Sequence, residues 1–268
     1  MPQPKVLIFD IETAPMLAYV WGIHEQNITL NQIHSDWHIL AWGAKWLGDP
    51  ASKVMYMDQR NAKDFQNDKA LLDALWKVLD EADVVITQNG KNFDTPRINA
   101  RFIMHGMNPP SPYKHLDTYQ IVRSVAQFTS NKLEYLTGKL CKKYKKLSHS
   151  KYPGFSLWTE CLKGNKDAWN EMKKYNIHDV LSTEEFYLKI RAWTPENMPR
   201  IYNAEHLKQQ CRTCGVEGKI QRRGKAWKNK SQIQRIQCMG CGAWDSLPIK
   251  KPKAKKLKAA NKGIKNAA

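Results

Sequence analysis

The sequence predicts a mixed α/β domain, helices layered on a sheet, followed by a small basic module built around cysteines. Three observations predict it. Short β-branched apolar runs alternate with stretches of helical periodicity across the first ~190 residues. Pro195 and Pro199 then break the pattern. Beyond them, four of the six cysteines stand as two Cys-x-x-Cys pairs.

Residues 5–9 are a short apolar run suited to a buried strand, and 14–36 read as irregular. Residues 39–46 and 53–57 are two further strands, parted by the turn Gly48-Asp49-Pro50. Ala70, Leu71, Leu72, Leu75, Trp76, Val78 and Leu79 recur at helical spacing, with the helix ending near Asp80. A buried strand at 84–87 follows, then the turn Gln88-Asn89-Gly90. A helix over 96–105 is stopped by Gly106 and Pro109-Pro110-Ser111-Pro112. A fifth strand falls at 115–117. The rest is helical, over 118–126, 132–141 and 167–190, with a basic loop Lys142-Lys143-Tyr144-Lys145-Lys146. A doubly wound nucleotide-binding fold fails, because neither Gly-x-Gly-x-x-Gly nor a P-loop occurs. The layout expected is a first domain over 1–192, a linker over 193–206, the cysteine module over 207–249, and a disordered Lys/Ala-rich tail over 250–268.

Charge separates the same two parts. The 268 residues carry 43 Lys and Arg against 25 Asp and Glu, a net of +18 with a pI near 9.6. Residues 203–268 hold 17 of the basic residues and 3 of the acids, a net of +14, which leaves +4 for residues 1–202. Such an excess points to a polyanionic partner, nucleic acid before an anionic membrane face. No apolar run approaches the ~20 residues of a membrane span, and the apolar start is too short for a secretory signal. Six cysteines are too few for a disulfide scaffold, so the expectation is a cytoplasmic protein in a reducing compartment.

The candidate chemistry lies in acids. Asp10 and Glu12 end the first strand in Val-Leu-Ile-Phe-Asp-Ile-Glu-Thr, two residues apart and therefore on one face. Such a pair repels itself unless a cation or proton sits between, or it is simply two exposed acids at a strand mouth. Asp94, in Gln-Asn-Gly-Lys-Asn-Phe-Asp-Thr-Pro-Arg, is either a helix N-cap or a metal ligand. Tyr175 and Asp179 are four apart on one helix face; alone they are a surface pair, with His178 a partly exposed neighbour.

Taken together, Asp-x-Glu on the first strand, Asn-Gly-x-x-Phe-Asp after the fourth and Tyr-x-x-x-Asp on a late helix resemble the three motifs of the DEDD 3′–5′ exonuclease superfamily. The resemblance covers about residues 5–190 and implies an RNase H-like fold, a mixed five-stranded sheet flanked by helices. The tyrosine in the third motif is similar to family B DNA polymerase proofreading domains and RNase D; the histidine subgroup needs His where this chain has Lys174. The Trp-rich second strand and Leu116-Asp117-Thr118 are also similar to stand-alone exonucleases of tailed bacteriophages.

The resemblance implies a metal-dependent 3′–5′ exonuclease acting on single-stranded DNA ends with two Mg²⁺ or Mn²⁺, for which hard oxygen ligands are apt. By it, Asp10 bridges both metals, Glu12 and Asp179 hold the one that binds the nucleophilic water, and Asp94 supports the second. Tyr175 orients the water, since a phenol of pKa ~10 is a poor base at neutral pH. Asn89, Asn92 and Phe93 contact the terminal nucleotide, and Asp117 stays outside the site. A replication or recombination protein is a further expected partner. The alternatives are an RNase D-like exoribonuclease, a structure-specific endonuclease, or a nucleic-acid-binding protein on an inactive nuclease fold.

Cys211-x-x-Cys214-Gly and Cys238-x-x-Cys241-Gly match a tetrahedral thiolate cage for one structural Zn²⁺ better than two redox dithiols, each glycine permitting a tight turn. The module resembles a zinc ribbon with a hairpin between the pairs. Lys219, Arg222, Arg223, Lys225, Lys228, Lys230 and Arg235 make that hairpin basic, and Trp227 among them is expected to stack on a base. Cys141 and Cys161 are expected as buried thiols, and Trp37, Trp42 and Trp46 as core and edge packing.

Overall fold

The computed structural model describes residues 3–145, 151–203, 210–228 and 231–249. Lys146, Lys230, the end of the expected linker and the 250–268 tail lie outside the described residues.

Strand β1 (Val6–Thr13) is longer than its apolar run suggests. The acids do not end it, because its pairing with the next long strand continues through Asp10 and Glu12 and shifts register only at Thr13. The segment read as irregular holds a two-stranded ribbon, β2 (Leu17–Ala18) with β3 (Ile33–Ser35). Strands β4 (Ile39–Trp46) and β5 (Met55–Asp58) are joined through Gly48, whose φ of +89° suits the residue without a Cβ. Helix α1 (Lys69–Asp80) leads to β6 (Val84–Thr87), buried throughout because parallel neighbours and helices cover it. Helix α2 (Asp94–Met104), β7 (Lys114–Asp117), α3 (Thr118–Val125) and α4 (Leu133–Leu140) follow.

The sheet runs β5-β4-β1-β6-β7, with β1, β4 and β5 antiparallel and β6 and β7 parallel to β1. This is the mixed five-stranded, RNase H-like arrangement. Alternation along β1 sorts its side chains between two layers. Leu7, Phe9 and Ile11 pack on Leu72 and Leu75 of α1 and Phe102 of α2. Val6 and Ile8 pack on the other face with α3, α4 and the last helix.

Helix α5 (Ser156–Leu162) has no counterpart in the sequence reading. It is too short to show a period, yet Leu157 and Cys161, four apart, seal it against Leu40, Ala41 and Trp169. The 25-residue α6 (Lys166–Ile190) crosses the same face of the sheet, capped by the Asn165 side chain accepting from the Asp167 and Ala168 N–H groups. Lys45 of β4, fully buried, donates to Glu184 of α6 at 2.9 Å and to two carbonyls, tying helix to sheet. No helix among the described residues is long and apolar enough to cross a membrane.

Residues 194–203 are packed: Ile201 joins the core under α6, and Lys114 donates to the Arg200 and Ile201 carbonyls. Three antiparallel strands then form the C-terminal module: β8 (Ile220–Lys228), β9 (Ser231–Cys238) and β10 (Trp244–Pro248). The hairpin is present, and β10 adds a strand to it. Arg200 donates to Thr213, the Tyr202 N–H to the Arg212 carbonyl, and Tyr202 lies against Gly215. The module therefore sits on the first domain beside the end of α6.

Candidate active site

Asp10 and Glu12 follow Ile8 on the face of β1 that looks at α6. From α6, one turn brings Tyr175, Asn176 and Asp179 down onto that face, all three buried. Carboxylate oxygens of Asp10, Glu12 and Asp179 lie within 4.8 Å of one another. An all-oxygen set at this spacing, on β1 and α6 alike, fits a hard divalent cation such as Mg²⁺ or Mn²⁺.

Two side chains absent from the sequence reading aim these acids. The Asn176 amide donates to Asp10 Oδ2 at 2.9 Å. Asn176 fits because Gly43, opposite Asp10 in the β1–β4 register, has no side chain; a Cβ there would stand 2.4 Å from Asn176 Oδ1. From α5, the Trp158 indole N–H donates to Glu12 Oε2 at 3.0 Å and sets its ring edge-on to Tyr175. Their partners are 166 and 146 residues away, so no local pattern marks them.

Asp94 stands outside this group of three. It is not an N-cap, because α2 begins at Asp94 itself, after Phe93. Its Oδ1 accepts the Ile11 N–H at 3.1 Å, a donor beyond the end of the β1–β6 ladder. Burial pushes the Asp94 carboxyl up to about 7, against the Ile11 hydrogen bond and with help from the charge of Asp117.

Asp117 has a larger part than expected. Its carboxylate accepts from the N–H groups of Asn89, Lys91 and Tyr119 at 2.9–3.0 Å, fastening the turn after β6 to the start of α3. That turn holds Asn89 at φ +63° and needs Gly90, where a Cβ would come within 2.4 Å of Thr87 Oγ1. It presents Asn92, hydrogen-bonded to Asn89, and the exposed ring of Phe93. The Arg97 guanidinium is held between rings, 4.5 Å from Phe93 and 4.7 Å from Trp37. Trp37 is half-buried at the edge of a cleft, whereas Trp42 is buried and donates to the Leu71 carbonyl. Cys141 and Cys161 are buried as expected.

The acids lie between two clefts. One, of about 420 Å³, is lined by Glu12, Met16, Trp37, Phe93, Phe155 and Trp158. The other, of about 360 Å³, is lined by Asp10, Asp179, Asn89, Tyr119, Asn131 and Lys132. The first offers aromatic faces, the second polar groups.

The second cluster is sulfur. Cys211, Cys214, Cys238 and Cys241 are free thiols with all four Sγ atoms within 4.8 Å of one another. Cys211–Cys241 and Cys214–Cys238 are each 3.8 Å apart, far beyond a disulfide and equal to the edge of about 3.8 Å of a tetrahedron with Zn–S of ~2.3 Å. The two knuckles repeat one geometry. Gly215 and Gly242 take φ of +72° and +82° and donate back to Cys211 and Cys238 at 2.8 Å. The Thr213 and Gly240 N–H groups point at the sulfurs of Cys211 and Cys238. The hydrogen bond between Cys211 and Cys241 pulls the Cys211 thiol down and pushes the Cys241 thiol up. The set fits one zinc ion in a zinc ribbon. Trp227 lies elsewhere, on β8, about three-quarters exposed beside exposed Lys225 and Lys228.

Residues 46–191, just over half of the chain, match the RNase_H_2 family of the RNase_H superfamily. The match begins at the end of β4, so Asp10 and Glu12 lie before it. Among solved structures, the family B DNA polymerase of the hyperthermophilic archaeon Pyrobaculum calidifontis is similar at 15% identity with a TM-score of 0.49. That similarity covers 71% of this chain and 26% of the polymerase, so this chain spans about a quarter of it. No curated protein matches the sequence.

Proposed function

The chain belongs to the RNase H superfamily, and from that premise we propose that it is a metal-dependent 3′–5′ exonuclease of the tyrosine-type DEDD class, acting on single-stranded DNA ends. The observation that carries the proposal is the closure of Asp10, Glu12 and Asp179 to within 4.8 Å beneath the buried Tyr175. Nuclease chemistry in this superfamily uses divalent metals, and the donor set is apt for them.

In this reading Asp10, Glu12 and Asp179 would hold two Mg²⁺ or Mn²⁺, and Asp94, whose Oδ1 accepts the Ile11 N–H, would support the second. When bound, those ions supply an activated water and neutralise charge on the scissile phosphate. Asn176 keeps the Asp10 carboxylate turned toward the site, and Trp158 does the same for Glu12. Tyr175 orients the attacking water. Phe93 receives the terminal nucleotide in the aromatic cleft, Asn89, on the polar-cleft side, and its partner Asn92 contact it there, and Arg97, pinned between Phe93 and Trp37, faces its phosphate. The remaining strand leaves through the polar cleft.

We further propose that residues 1–192 are the nuclease domain and 207–249 a zinc ribbon held by Cys211, Cys214, Cys238 and Cys241, joined by 193–206. Trp227 and its basic neighbours would then hold nucleic acid away from the cut. Digestion of end-labelled single strands with Mg²⁺ or Mn²⁺ tests the assignment: stepwise shortening from a free 3′ end and none from a blocked one is expected. Internal cleavage of the blocked strand would make it an endonuclease, and preference for RNA would move the substrate to the RNase D-like class.

A further inference from the structure

The basic loop after α4 does more than carry charge. Its backbone is pinned: the carboxylate of Glu185 on α6 accepts from the N–H groups of Lys142, Lys143 and Tyr144 in succession, at 2.8, 3.1 and 2.7 Å. At its other end the Lys145 carbonyl meets His178 Nε2, and the Tyr144 ring packs edge-on to His178. His178 and Glu185 are seven residues apart, two turns along one face, a distance of ~10.5 Å. The loop therefore climbs α6 and stops beside the residue next to Asp179. The Lys142, Lys143 and Lys145 side chains remain exposed throughout.

Asn131 and Lys132, at the head of α4, line the polar cleft with Asp10 and Asp179. A strand leaving the carboxylates through this cleft passes Lys132, and the loop anchored on His178, the neighbour of Asp179, offers further lysines close by. Lysine-rich loops ordinarily pay a large entropic cost when they grip a ligand; here three hydrogen bonds to one carboxylate have already fixed the backbone.

We propose that residues 142–145 form a phosphate-binding track that grips the single DNA strand beyond the nucleotide being cut, with Glu185 and His178 as its anchors. The occupant rests on the exonuclease reading above. The track adds that the enzyme reads several phosphates away from the cut and favours long strands over short ones.

The combined variant Lys142→Gln, Lys143→Gln, Lys145→Gln tests it. Anisotropy of a labelled oligothymidylate with Ca²⁺ in place of Mg²⁺ should show affinity at low salt falling at least about tenfold. The log–log salt slope should drop by about 2, at ~0.7 per lost contact. In digestion, KM for the long strand should rise with kcat held, while a dinucleotide, too short to reach the loop, is cut as by the unaltered chain. An unchanged salt slope would overturn the track. Glu185→Gln gives a second, opposed readout. It removes a negative charge, so loose lysines would bind the strand more tightly, whereas a track that needs its anchor binds it less tightly; tighter binding overturns the proposal. Should the unaltered chain digest nothing, yet show the same loss of slope when the lysines go, the track stands and the exonuclease reading falls.

Discussion

The two clusters of ligands differ in what surrounds them. The carboxylates of Asp10, Glu12 and Asp179 decorate a sheet and helix already held by large apolar clusters on both faces. The four sulfurs have little else: among the described residues their apolar cluster has Cys211, Cys238 and Ala243 as buried members, with Ile236 buried on β9. The first centre is placed by the fold, at the cost of crowding like charges. The second centre places the fold, because a module this small has little other core among its described residues. A ligand lost from the first should therefore remove function, and a ligand lost from the second should remove structure.

The largest effect expected is on the first side. Asp10→Asn or Asp179→Asn should lower digestion by about 10³-fold or more, the several kcal/mol that metal-assisted charge stabilisation supplies. The thermal midpoint should hold or rise, since like charges are relieved. A variant that melts early would erase the contrast.

Next comes Cys211→Ser, which should unfold the ribbon and release zinc, read by a thiol–zinc assay and by exchange of β8 and β9 amides. The Arg200–Thr213 and Tyr202–Gly215 contacts go with it, so the first domain should melt lower by about 2–4 °C for each kcal/mol lost. Melting of both domains together would show that the sulfur centre holds the nuclease as well.

A smaller test probes how the first fold aims its acids. Gly43→Ala should cost about 1–3 kcal/mol, because its Cβ runs into Asn176. Asn176→Ala should relieve that clash while slowing digestion by freeing Asp10. A double-mutant cycle should show the two stability costs to be markedly less than additive.

The smallest effect is in acid. Burial pushes the His115 imidazole down to about 4, despite Asp117 nearby, so the folded chain keeps it neutral where the unfolded chain takes up a proton. Its contribution is whole above pH 6.5 and is lost as pH falls toward 4. Denaturant titrations should show that His115→Gln flattens this part of the nuclease domain's profile and leaves the ribbon's acid release of zinc unchanged.

Both clusters were legible in sequence where candidate ligands recur at local periods. Two-residue spacing put Asp10 with Glu12, four-residue spacing put Tyr175 with Asp179, and the repeated Cys-x-x-Cys-Gly gave both knuckles. Fold class was legible from the same periods. What stayed hidden depends on contacts across the chain. Trp158 lies on a helix of seven residues, too short to announce itself, and reaches Glu12 only after α5 folds against β4. Asn176 and Gly43 signify nothing apart and fit only as a pair. Asp117 is an ordinary acid at a strand end until the backbone of the Asn89 turn closes on it.

Helix α6, 25 residues and so ~37 Å long, carries Asp179 near its middle and meets the ribbon's side of the molecule at its end. Between those points Glu184 is gripped by buried Lys45. In mechanical language this is a lever with a fulcrum. Asp179 and Ile190 lie ~7.5 Å and ~9 Å on opposite sides of it. A tilt of about 4° about Lys45 swings Asp179 by ~0.5 Å, as far as an active-site ligand can stray and still work. For a rigid tilt about that point, a displacement at the ribbon end would reach Asp179 reversed in sense and at roughly 0.8 of its size.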